Sequence, residues 1–402
     1  MDRELLEKVK RHEVSFHEID KILDANASIE LRRIAISQLT YTQFDHISNF
    51  SLDVEVVSKR NIENMIGVIQ VPLGVAGPLR VNGEYASGEY YIPLATTEGA
   101  LVASTDRGSS VITASGGANV RIFKDEMTRA PVFKTKNIIG AKALVDWVDA
   151  NFEKLKKKAQ ETTRFGELLS IKAFTAGRNV YLRFAYDTKD AMGMNMVTIA
   201  TDAAVDLILL ENDVELVALS GNMCSDKKPA AINAILGKGK TVSADVFIGK
   251  DIILKKLKTT PEKMFEVNYR KNLLGSVLAG SIGFNAHAAN IAAAMFIACG
   301  QDAAHVVEAS NAITTMELTE EGLYCSVTLP SLNVGTVGGG TRIATQLECL
   351  KMLGVAGAGD PPGTNSRKLA EIIAAAVLAG EISLVGALAA RHLARAHAAL
   401  GR

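Results

Sequence analysis

The spacing of apolar and polar residues divides the chain into stretches that predict different secondary structure. Residues 1–60 combine many charges with short apolar spacings, which predicts short charged helices joined by loops. Around 62–94, glycine, proline and valine predict short strands and turns. From 131 to 218, apolar runs such as 180–186 alternate with helical patterns such as 199–213, which predicts a small α/β module.

The second part of the chain favours helices. Residues 230–402 are rich in Ala, Leu and Ile at helical spacing, with glycine-rich breaks between them. The last stretch, 365–399, predicts two helices broken near Gly380. Residues 272–301 lack Asp, Glu, Lys and Arg, but their many small and polar residues favour a helix buried inside a protein over one that faces lipid.

Composition narrows the class of protein. Of the 402 residues, 48% are hydrophobic and 22% are charged, which is typical of a globular chain rather than a disordered one. Lys plus Arg and Asp plus Glu number 44 each, so charge indicates neither nucleic acid nor a membrane surface as a partner. The charged residues 2–4 do not predict a signal peptide, and four scattered cysteines without a CxxC pair favour a cytoplasmic protein without a metal site.

Generic nucleotide-binding motifs do not fit the chain. The string Gly-Lys-Gly-Lys-Thr at 237–241 imitates a P-loop, but the first glycine of that motif would fall at Ala234, and a helix rather than a strand is expected before it. The glycine-rich string at 335–340 is not GxGxxG, and no strand–GxGxxG–helix unit occurs. A dinucleotide would therefore have to bind to something other than a Rossmann domain.

A carboxylate without charged neighbours marks the first candidate site. Glu98 follows Thr96 and Thr97 and precedes Gly99. A carboxyl group in an apolar pocket can hold a proton at neutral pH and act as an acid. The alternative, which spacing alone favours, is a carboxylate at a helix N-terminus with a threonine cap.

A polar string at 220–229 marks the second. Six polar residues lie between a buried-looking helix and an alanine-rich one. Lys227 and Lys228 are adjacent and therefore point in different directions, so one could serve a carbonyl group and the other a carboxylate. A solvated loop is the alternative.

Two further candidates lie later in the chain. Asp302 ends the uncharged stretch, and its spacing of three from His305 suggests a catalytic pair on one helix face, although a cap or a partner for a lysine is also possible. His392 and His397 lie near the end, where cations at a helix C-terminus are the simpler explanation.

Eight strings, in order, resemble those of the hydroxymethylglutaryl-coenzyme A (HMG-CoA) reductase family over nearly the whole chain from about residue 55. They lie at 63–67, 74–79, 95–99, 190–196, 220–233, 285–290, 300–304 and 335–341. The first and fourth are similar to the soluble, archaeal-like biosynthetic class, which uses NADPH.

The resemblance implies a catalytic quartet of Glu98, Lys227, Asp302 and His397. His305 matches no catalytic position of the family, so the Asp302–His305 pair is set aside. The implied reaction converts (S)-HMG-CoA to mevalonate and free coenzyme A by two hydride transfers from NADPH, through a hemithioacetal and mevaldehyde, and feeds isoprenoid synthesis. In it Lys227 stabilises the oxyanion and Asp302 orients Lys227. Glu98 and His397 supply protons.

The resemblance also implies binding residues. The hydroxymethylglutaryl group would be held by Arg129, Ser220, Asp226 and Lys228, and coenzyme A would lie along Ser104 and Arg107. NADPH would contact Thr163, Arg164, Phe165, Asp190, Ala191, Met192, Gly193, Met194 and Asn195. An arginine suits the 2′-phosphate that distinguishes NADPH from NADH.

The fold implied by the resemblance is α+β. It has a large, mainly helical substrate domain with a long buried central helix, and a small ferredoxin-like α/β cofactor domain inserted into it. We expect an N-terminal helical segment at 1–60, a large HMG-CoA-binding and dimerisation domain at 61–130 and 229–402, an NADP-binding domain at 131–218, and a catalytic connecting loop at 219–228. Active sites between subunits imply a homodimer or higher homo-oligomer, without nucleic acid or membrane.

Two rival functions stay open at this point. One is an NADH-linked, degradative HMG-CoA reductase that oxidises mevalonate. The other is a coenzyme A-binding protein without catalysis, against which the complete quartet argues.

Overall fold

The computed structural model describes residues 2–390. In chain order its α-helices are α1 (Arg3–Lys10), α2 (Ala25–Thr40), α3 (Val54–Arg60), α4 (Leu101–Ala114), α5 (Ile138–Ala150), α6 (Phe152–Gln160), α7 (Met194–Glu211), α8 (Ala231–Leu236), α9 (Lys250–Ile252), α10 (Pro261–Val267), α11 (Ser276–Ala279), α12 (Ala288–Ala298), α13 (Val306–Ala309), α14 (Ala344–Met352) and α15 (Thr364–Ala389). Its strands are β1 (Leu73–Asn82), β2 (Ser87–Ala95), β3 (Ala118–Arg129), β4 (Val132–Lys134), β5 (Glu167–Ala176), β6 (Asn179–Asp187), β7 (Glu215–Ala218), β8 (Gly239–Gly249), β9 (Ile313–Leu318) and β10 (Gly322–Leu332). Short 3-10 helices lie at Glu18–Lys21, Ala303–His305 and Gly339–Arg342, and π-helical turns at Ile253–Leu257 and Asn268–Gly275.

The N-terminal helices begin at aspartate caps. The carboxylates of Asp2, Asp24 and Asp53 each accept a hydrogen bond from the backbone N–H three residues on. This satisfies a donor that the first helical turn leaves free. The apolar faces of these helices form small cores of their own. The short charged helices expected for this segment are confirmed.

A compact α/β unit occupies the middle of the chain. Its elements follow the order β4–α5–α6–β5–β6–α7–β7, and its strands lie in the order β7–β4–β6–β5 with antiparallel neighbours. This is the β-α-β-β-α-β arrangement of ferredoxin-like folds, with one helix added to the first crossover. Phe133, Leu144, Phe184 and Ile208 belong to a core separate from the main one. The ferredoxin-like prediction is confirmed.

The larger part of the protein contains a second run of strands. β8 lies between β3 and β10, β9 pairs with β10, and β1 and β2 form a hairpin beside β3. Helices α4, α12 and α15 pack against these strands around the main core. β8 and β10 lie in a stretch whose composition favours helix. Burial alternates along both, which is the period of a strand.

Helix α15 is the long buried central helix that the α+β prediction requires. The expected break at Gly380 is wrong, because α15 continues through it from Thr364 to Ala389. Gly380 serves close packing instead, since a Cβ there would lie 2.4 Å from the Cδ1 atom of Ile291 on α12. Gly108 of α4 permits an equally close crossing, because its Cβ would lie 1.9 Å from the carbonyl oxygen of Ala379.

The uncharged stretch at 272–301 is not the single buried helix that composition predicted. It contains the end of a π-helical turn, then α11, an irregular segment at 280–287, and α12. The buried carboxylate of Glu381 on α15 accepts hydrogen bonds from the backbone N–H groups of Ala286 and His287, and from the hydroxyl of Thr314. A partner almost a hundred residues away thus stabilises the irregular segment, and local composition does not reveal it.

Helix α15 also resembles a membrane span by length and hydropathy alone. Among the residues that the structure describes, it is the helix that passes this test, but 83% of its most apolar window is buried inside the fold. Burial of that kind is typical of the core helix of a globular protein.

Two connections join the ferredoxin-like unit to the larger part. Strand β3 is shared, because residues 119–126 pair with β8 and residues 127–129 pair with β6. The other connection runs from the end of β7 to α8. Side chains on both connections therefore lie where the two parts meet.

Candidate active site

The loop between β7 and α8 has an unusual backbone. Asn222, Ser225 and Lys227 have positive φ angles of 64°, 43° and 57°, a region that residues other than glycine seldom occupy. The buried guanidinium of Arg183 donates to the carbonyl oxygens of Met223 at 3.1 Å and, just beyond α8, of Gly237 at 2.6 Å. These contacts stabilise a loop shape that would otherwise be costly.

Lys227 and Asp302 form an ion pair at the open side of this loop. Lys227 Nζ lies 2.8 Å from Asp302 Oδ2, and the two side chains are 42% and 34% exposed. The hydrogen bond from Lys227 to Asp302 raises the pKa of the lysine. Burial alone would raise the pKa of Asp302, but the bonds from Lys227 and from the backbone N–H of Ala304 outweigh it and lower that pKa. Both groups are therefore charged at neutral pH, and the ammonium can still reach a ligand.

Asp226 faces inward from the same loop. The ammonium of Lys238, which is fully buried, lies 2.9 Å from Asp226 Oδ1. Burial would raise the pKa of Asp226, but Lys238 outweighs it and lowers the pKa. Lys228 is exposed and donates to the backbone oxygen of Asp226 at 3.0 Å, so Lys227 and Lys228 point in different directions, as expected.

Sequence reasoning missed Lys238 and Glu308. Lys238 belongs to the Gly-Lys-Gly-Lys-Thr string, which signalled only a rejected P-loop. The fully buried carboxylate of Glu308 accepts the backbone N–H of Lys227 at 2.6 Å. The residues around Glu308 do not predict that contact, because Lys227 lies 81 residues earlier in the chain.

Glu98 lies away from the β7–α8 loop, in the short segment between β2 and α4. The side-chain amide of Asn290 donates to both of its carboxylate oxygens, at 3.1 and 2.9 Å, and Thr96 Oγ1 accepts from the backbone N–H of Glu98. Glu98 is exposed, so the apolar pocket expected around it is not formed by residues 2–390 of one chain. Asn290 closes one of the resembling strings, but no role was assigned to it.

Helix α12 separates Glu98 from the lysine–aspartate pair. Asn290 lies in the first turn of α12, and Asp302 follows its last turn. Eight residues from position 290 to the helix end rise about 12 Å along the axis. The structure therefore brings Lys227 and Asp302 together but leaves Glu98 at the other end of the helix.

Arg129 at the end of β3 and Ser220 on the β7–α8 loop lie where the two connections approach each other. The backbone N–H of Gly221 donates to the carbonyl oxygen of Ala130 at 2.6 Å, which places the loop next to the end of β3. Arg129 Nε is buried and has no hydrogen-bond partner within the described residues. Ser220 Oγ lies 3.4 Å from Cys224 Sγ. A guanidinium with a free donor at this junction suits a carboxylate ligand.

Ser104 and Arg107 contact the central helix. Ser104 Oγ lies 2.9 Å from Ser383 Oγ, and Arg107 donates to the hydroxyl and carbonyl oxygens of Ser383 at 3.0 and 3.1 Å. Burial lowers the pKa of Arg107. Both side chains thus attach α4 to α15 through Ser383, a residue that the sequence did not single out.

The stretch from Asp190 to Asn195 connects β6 to α7. The buried carboxylate of Asp190 accepts from the backbone N–H groups of Gly359, Gly363 and Ser366, so it supports the start of α15 rather than facing outward. Gly193 precedes α7 with φ 96°, and no side chain caps this helix N-terminus. Its free N–H groups form a site of the kind that binds phosphate.

Three of the predicted cofactor residues, Thr163, Arg164 and Phe165, lie on the turn before β5. Thr163 Oγ1 accepts the backbone N–H of Gly166 at 3.0 Å, which shapes the turn. Arg164 and Phe165 are exposed, the latter by 65%. In the segment before α7, Ala191, Met192 and Met194 are half-buried and Asn195 is exposed.

The two candidate histidines near the end of the chain, His392 and His397, lie outside the described residues.

Comparison with known proteins gives the family. The model of the hydroxymethylglutaryl-coenzyme A reductase family matches residues 28–402. A 3-hydroxy-3-methylglutaryl-coenzyme A reductase of Pyrococcus abyssi is 54% identical over 404 residues, which is 99% of each chain, and that of Haloferax volcanii is 54% identical over 398 residues, 99% of this chain and 98% of the other. A class II 3-hydroxy-3-methylglutaryl-CoA reductase of Streptococcus pneumoniae, solved with NADPH, shares the fold at a TM-score of 0.67 and 19% identity, over 93% of this chain and all of that one. The chain therefore belongs to the hydroxymethylglutaryl-coenzyme A reductase family.

Proposed function

We propose that this chain reduces (S)-HMG-CoA to mevalonate and free coenzyme A. NADPH, when bound, supplies the two hydrides. The observation that carries the proposal is the Lys227–Asp302 ion pair, which presents a fixed, accessible ammonium on a strained loop. Such a donor acts best where negative charge develops.

Lys227 is the residue that neutralises the oxyanion. Hydride addition to the thioester carbonyl places a negative charge on its oxygen, and a positioned ammonium lowers the free energy of that state. Asp302 keeps Lys227 charged and fixes its direction. The same ammonium serves the second reduction, in which the aldehyde oxygen becomes an alkoxide.

Two further groups supply protons. His397 protonates the thiolate of coenzyme A when the hemithioacetal collapses, a role suited to imidazole near neutral pH. Glu98 donates a proton to the alkoxide of the second step. Asn290 holds both oxygens of Glu98 and fixes its direction.

The binding residues follow the charges of the two ligands. We assign Arg129 and Lys228 to the free carboxylate of the hydroxymethylglutaryl group, with Ser220 and Asp226 beside it, and Ser104 and Arg107 to the coenzyme A side. For the cofactor we assign the free N-terminus of α7 to the diphosphate and Arg164 to the 2′-phosphate. Phe165 and Thr163 complete that side, and the ferredoxin-like unit carries these groups.

We propose that the quartet is completed by a second copy of the chain. Glu98 and the Lys227–Asp302 pair lie at opposite ends of α12, so one chain does not unite them. An apolar groove of about 740 Å³ runs beside the end of β2, and Phe50, Ile69, Leu73 and Ile297 line it. Ile69 and Leu73 are 83% and 56% exposed, as expected of side chains that another subunit covers. The proposed protein is a cytoplasmic homodimer or higher homo-oligomer, without nucleic acid or membrane.

Absorbance of the reduced nicotinamide tests the reaction. We expect purified protein with HMG-CoA to oxidise two equivalents of NADPH for each mevalonate formed. NADH should support a slower reaction, because it lacks the phosphate that Arg164 would bind. No mevalonate with either cofactor would contradict the proposal, and a strong preference for NADH would favour the degradative alternative.

A further inference from the structure

A buried group of charged side chains lies beneath the β7–α8 loop, and only one of its members, Asp226, has a role in the proposed reaction. It consists of Asp226 on the loop, Lys238 before β8, His305 in the 3-10 turn after α12, and Glu308 in α13; we call these four the charge cluster. Lys238, His305 and Glu308 are fully buried, and Asp226 is 22% exposed. Burial of so many charges is costly unless they balance.

His305 connects the charge cluster to the catalytic ion pair. Its Nδ1 lies 3.3 Å from Glu308 Oε1, and its Nε2 lies 3.8 Å from both Asp226 Oδ1 and Asp302 Oδ2. Nε2 is buried and has no hydrogen-bond partner among residues 2–390. Both nitrogens of the ring therefore face carboxylate oxygens.

The shorter of these contacts fixes the ring. Glu308 Oε1 accepts the backbone N–H of Lys227, and its second lone pair can accept the Nδ1–H group of His305 at 3.3 Å.

We propose that His305 is a positioning residue for the reduction. Its Nδ1–H group orients Glu308, which accepts the backbone N–H of Lys227, and its Nε2 lies 3.8 Å from Asp302, which accepts from the ammonium of the same lysine. The two carboxylates that fix the oxyanion-stabilising lysine thus both lie against one buried ring. His305 does not touch the substrate, and the inference rests on the proposed role of Lys227.

A metal ion is the alternative cation for the charge cluster. Ligand atoms of Asp226, His305 and Glu308 lie within 4.8 Å of one another. However, Lys238 Nζ lies 2.9 Å from Asp226 Oδ1 and 3.9 Å from Glu308 Oε1. The ammonium already occupies the cation position and would repel a second cation, so the geometry favours lysine over metal.

The contact with Glu308 is measured by NMR of the full-length protein with ¹⁵N-labelled histidine. We expect one ring whose Nδ1 carries a proton that exchanges slowly with water, because the ring is buried and bonded to Glu308. Loss of that signal in His305→Gln assigns it. A buried ring without a proton on Nδ1 would overturn the inference.

Kinetics test the positioning role. We expect His305→Gln to lower kcat about tenfold or more for both HMG-CoA and mevaldehyde, because Lys227 acts in both reductions, while KM changes less than about twofold. Thr315→Val, which removes a hydroxyl bonded to Ser326 between β9 and β10, is the control and should keep kcat. A His305→Gln enzyme with wild-type kcat would contradict the inference alone, whereas a wild-type enzyme that makes no mevalonate would contradict the proposed function. If His305→Gln does not fold, the slowly exchanging NMR signal of the wild-type protein decides.

Discussion

The backbone N–H of Lys227 donates to the fully buried carboxylate of Glu308 at 2.6 Å. Lys227 has a φ angle of 57°, which a side chain other than glycine adopts at a cost. The contact compensates part of that cost and fixes the backbone of Lys227, while Asp302 holds the ammonium at the end of its side chain. A lysine anchored at its backbone and at its ammonium loses less freedom on meeting the substrate, which favours catalysis.

Removal of Glu308 should therefore loosen the loop. We expect Glu308→Ala to lower kcat about tenfold or more, because a buried N–H without its partner costs about 1–3 kcal/mol in the loop's active shape. Glu308→Gln keeps an oxygen for the N–H and should lose less. The measurement is kcat for mevaldehyde reduction, and equal activity of wild type and Glu308→Ala would show that the contact has no part in catalysis.

Asn290 should matter for catalysis rather than for stability. Its amide bonds both oxygens of an exposed carboxylate, so Asn290→Ala is expected to change the free energy of unfolding by less than about 1 kcal/mol. Glu98 would lose its orientation, and kcat should fall about tenfold or more. Asn290→Asp places a like charge beside Glu98 and should be worse. Urea unfolding and steady-state rates separate the two effects, and a variant that unfolds easily but turns over normally would refute this assignment.

The Lys227–Asp302 pair predicts a defined pH dependence of stability. The lowered pKa of Asp302 adds stability that is present above about pH 3.9, the unfolded value, and is lost as pH falls through the lower folded value. The raised pKa of Lys227 adds stability that is present below about pH 10.4 and is lost as pH rises through the higher folded value. The difference in unfolding free energy between wild type and Asp302→Asn should therefore be largest near neutral pH. A difference that stays constant from acid to alkaline pH would contradict the pairing.

His397 should be needed for one half of the reaction only. Release of coenzyme A as a thiolate requires a proton, whereas reduction of free mevaldehyde does not involve the thiol. We expect His397→Gln to keep mevaldehyde reduction within about threefold and to lower the rate with HMG-CoA about 10²-fold or more. Comparison of the two substrates on the same preparation checks this. An equal loss with both would remove His397 from the thiolate step.

Local pattern predicted the elements in the middle of the chain, and long-range contacts account for much of what it missed. The apolar run of β6 and the helical spacing of α7 predicted a small α/β module, because each pattern lies within one element, whereas the ferredoxin-like arrangement was implied by the family resemblance. Gly380 was misinterpreted as a helix break, since a glycine that admits Ile291 has the same local sequence as one that ends a helix.

The site shows the same limit. The resembling strings contain Lys227 and Asp302, and the structure pairs them. In the string that imitates a P-loop, Lys240 is buried 3.1 Å from Asp125, and Lys238, two residues earlier, pairs with Asp226. The sequence of the string predicts neither pair. Buried lysines find their carboxylates only when β3, β8 and the loop assemble, so the charge balance is a property of the fold.

The central claim is that the ammonium of Lys227 neutralises the oxyanion in both reductions. The most direct test is kcat of Lys227→Met with mevaldehyde and NADPH, because this substrate needs neither thioester cleavage nor His397. Loss of one such donor corresponds to about 2.7–4 kcal/mol, so we predict a fall of about 10²–10³-fold with little change in KM. The neighbouring Lys228→Gln should instead raise KM for HMG-CoA, because we assign that lysine to the substrate carboxylate. A Lys227→Met enzyme that reduces mevaldehyde within about tenfold of the wild-type kcat would contradict the claim.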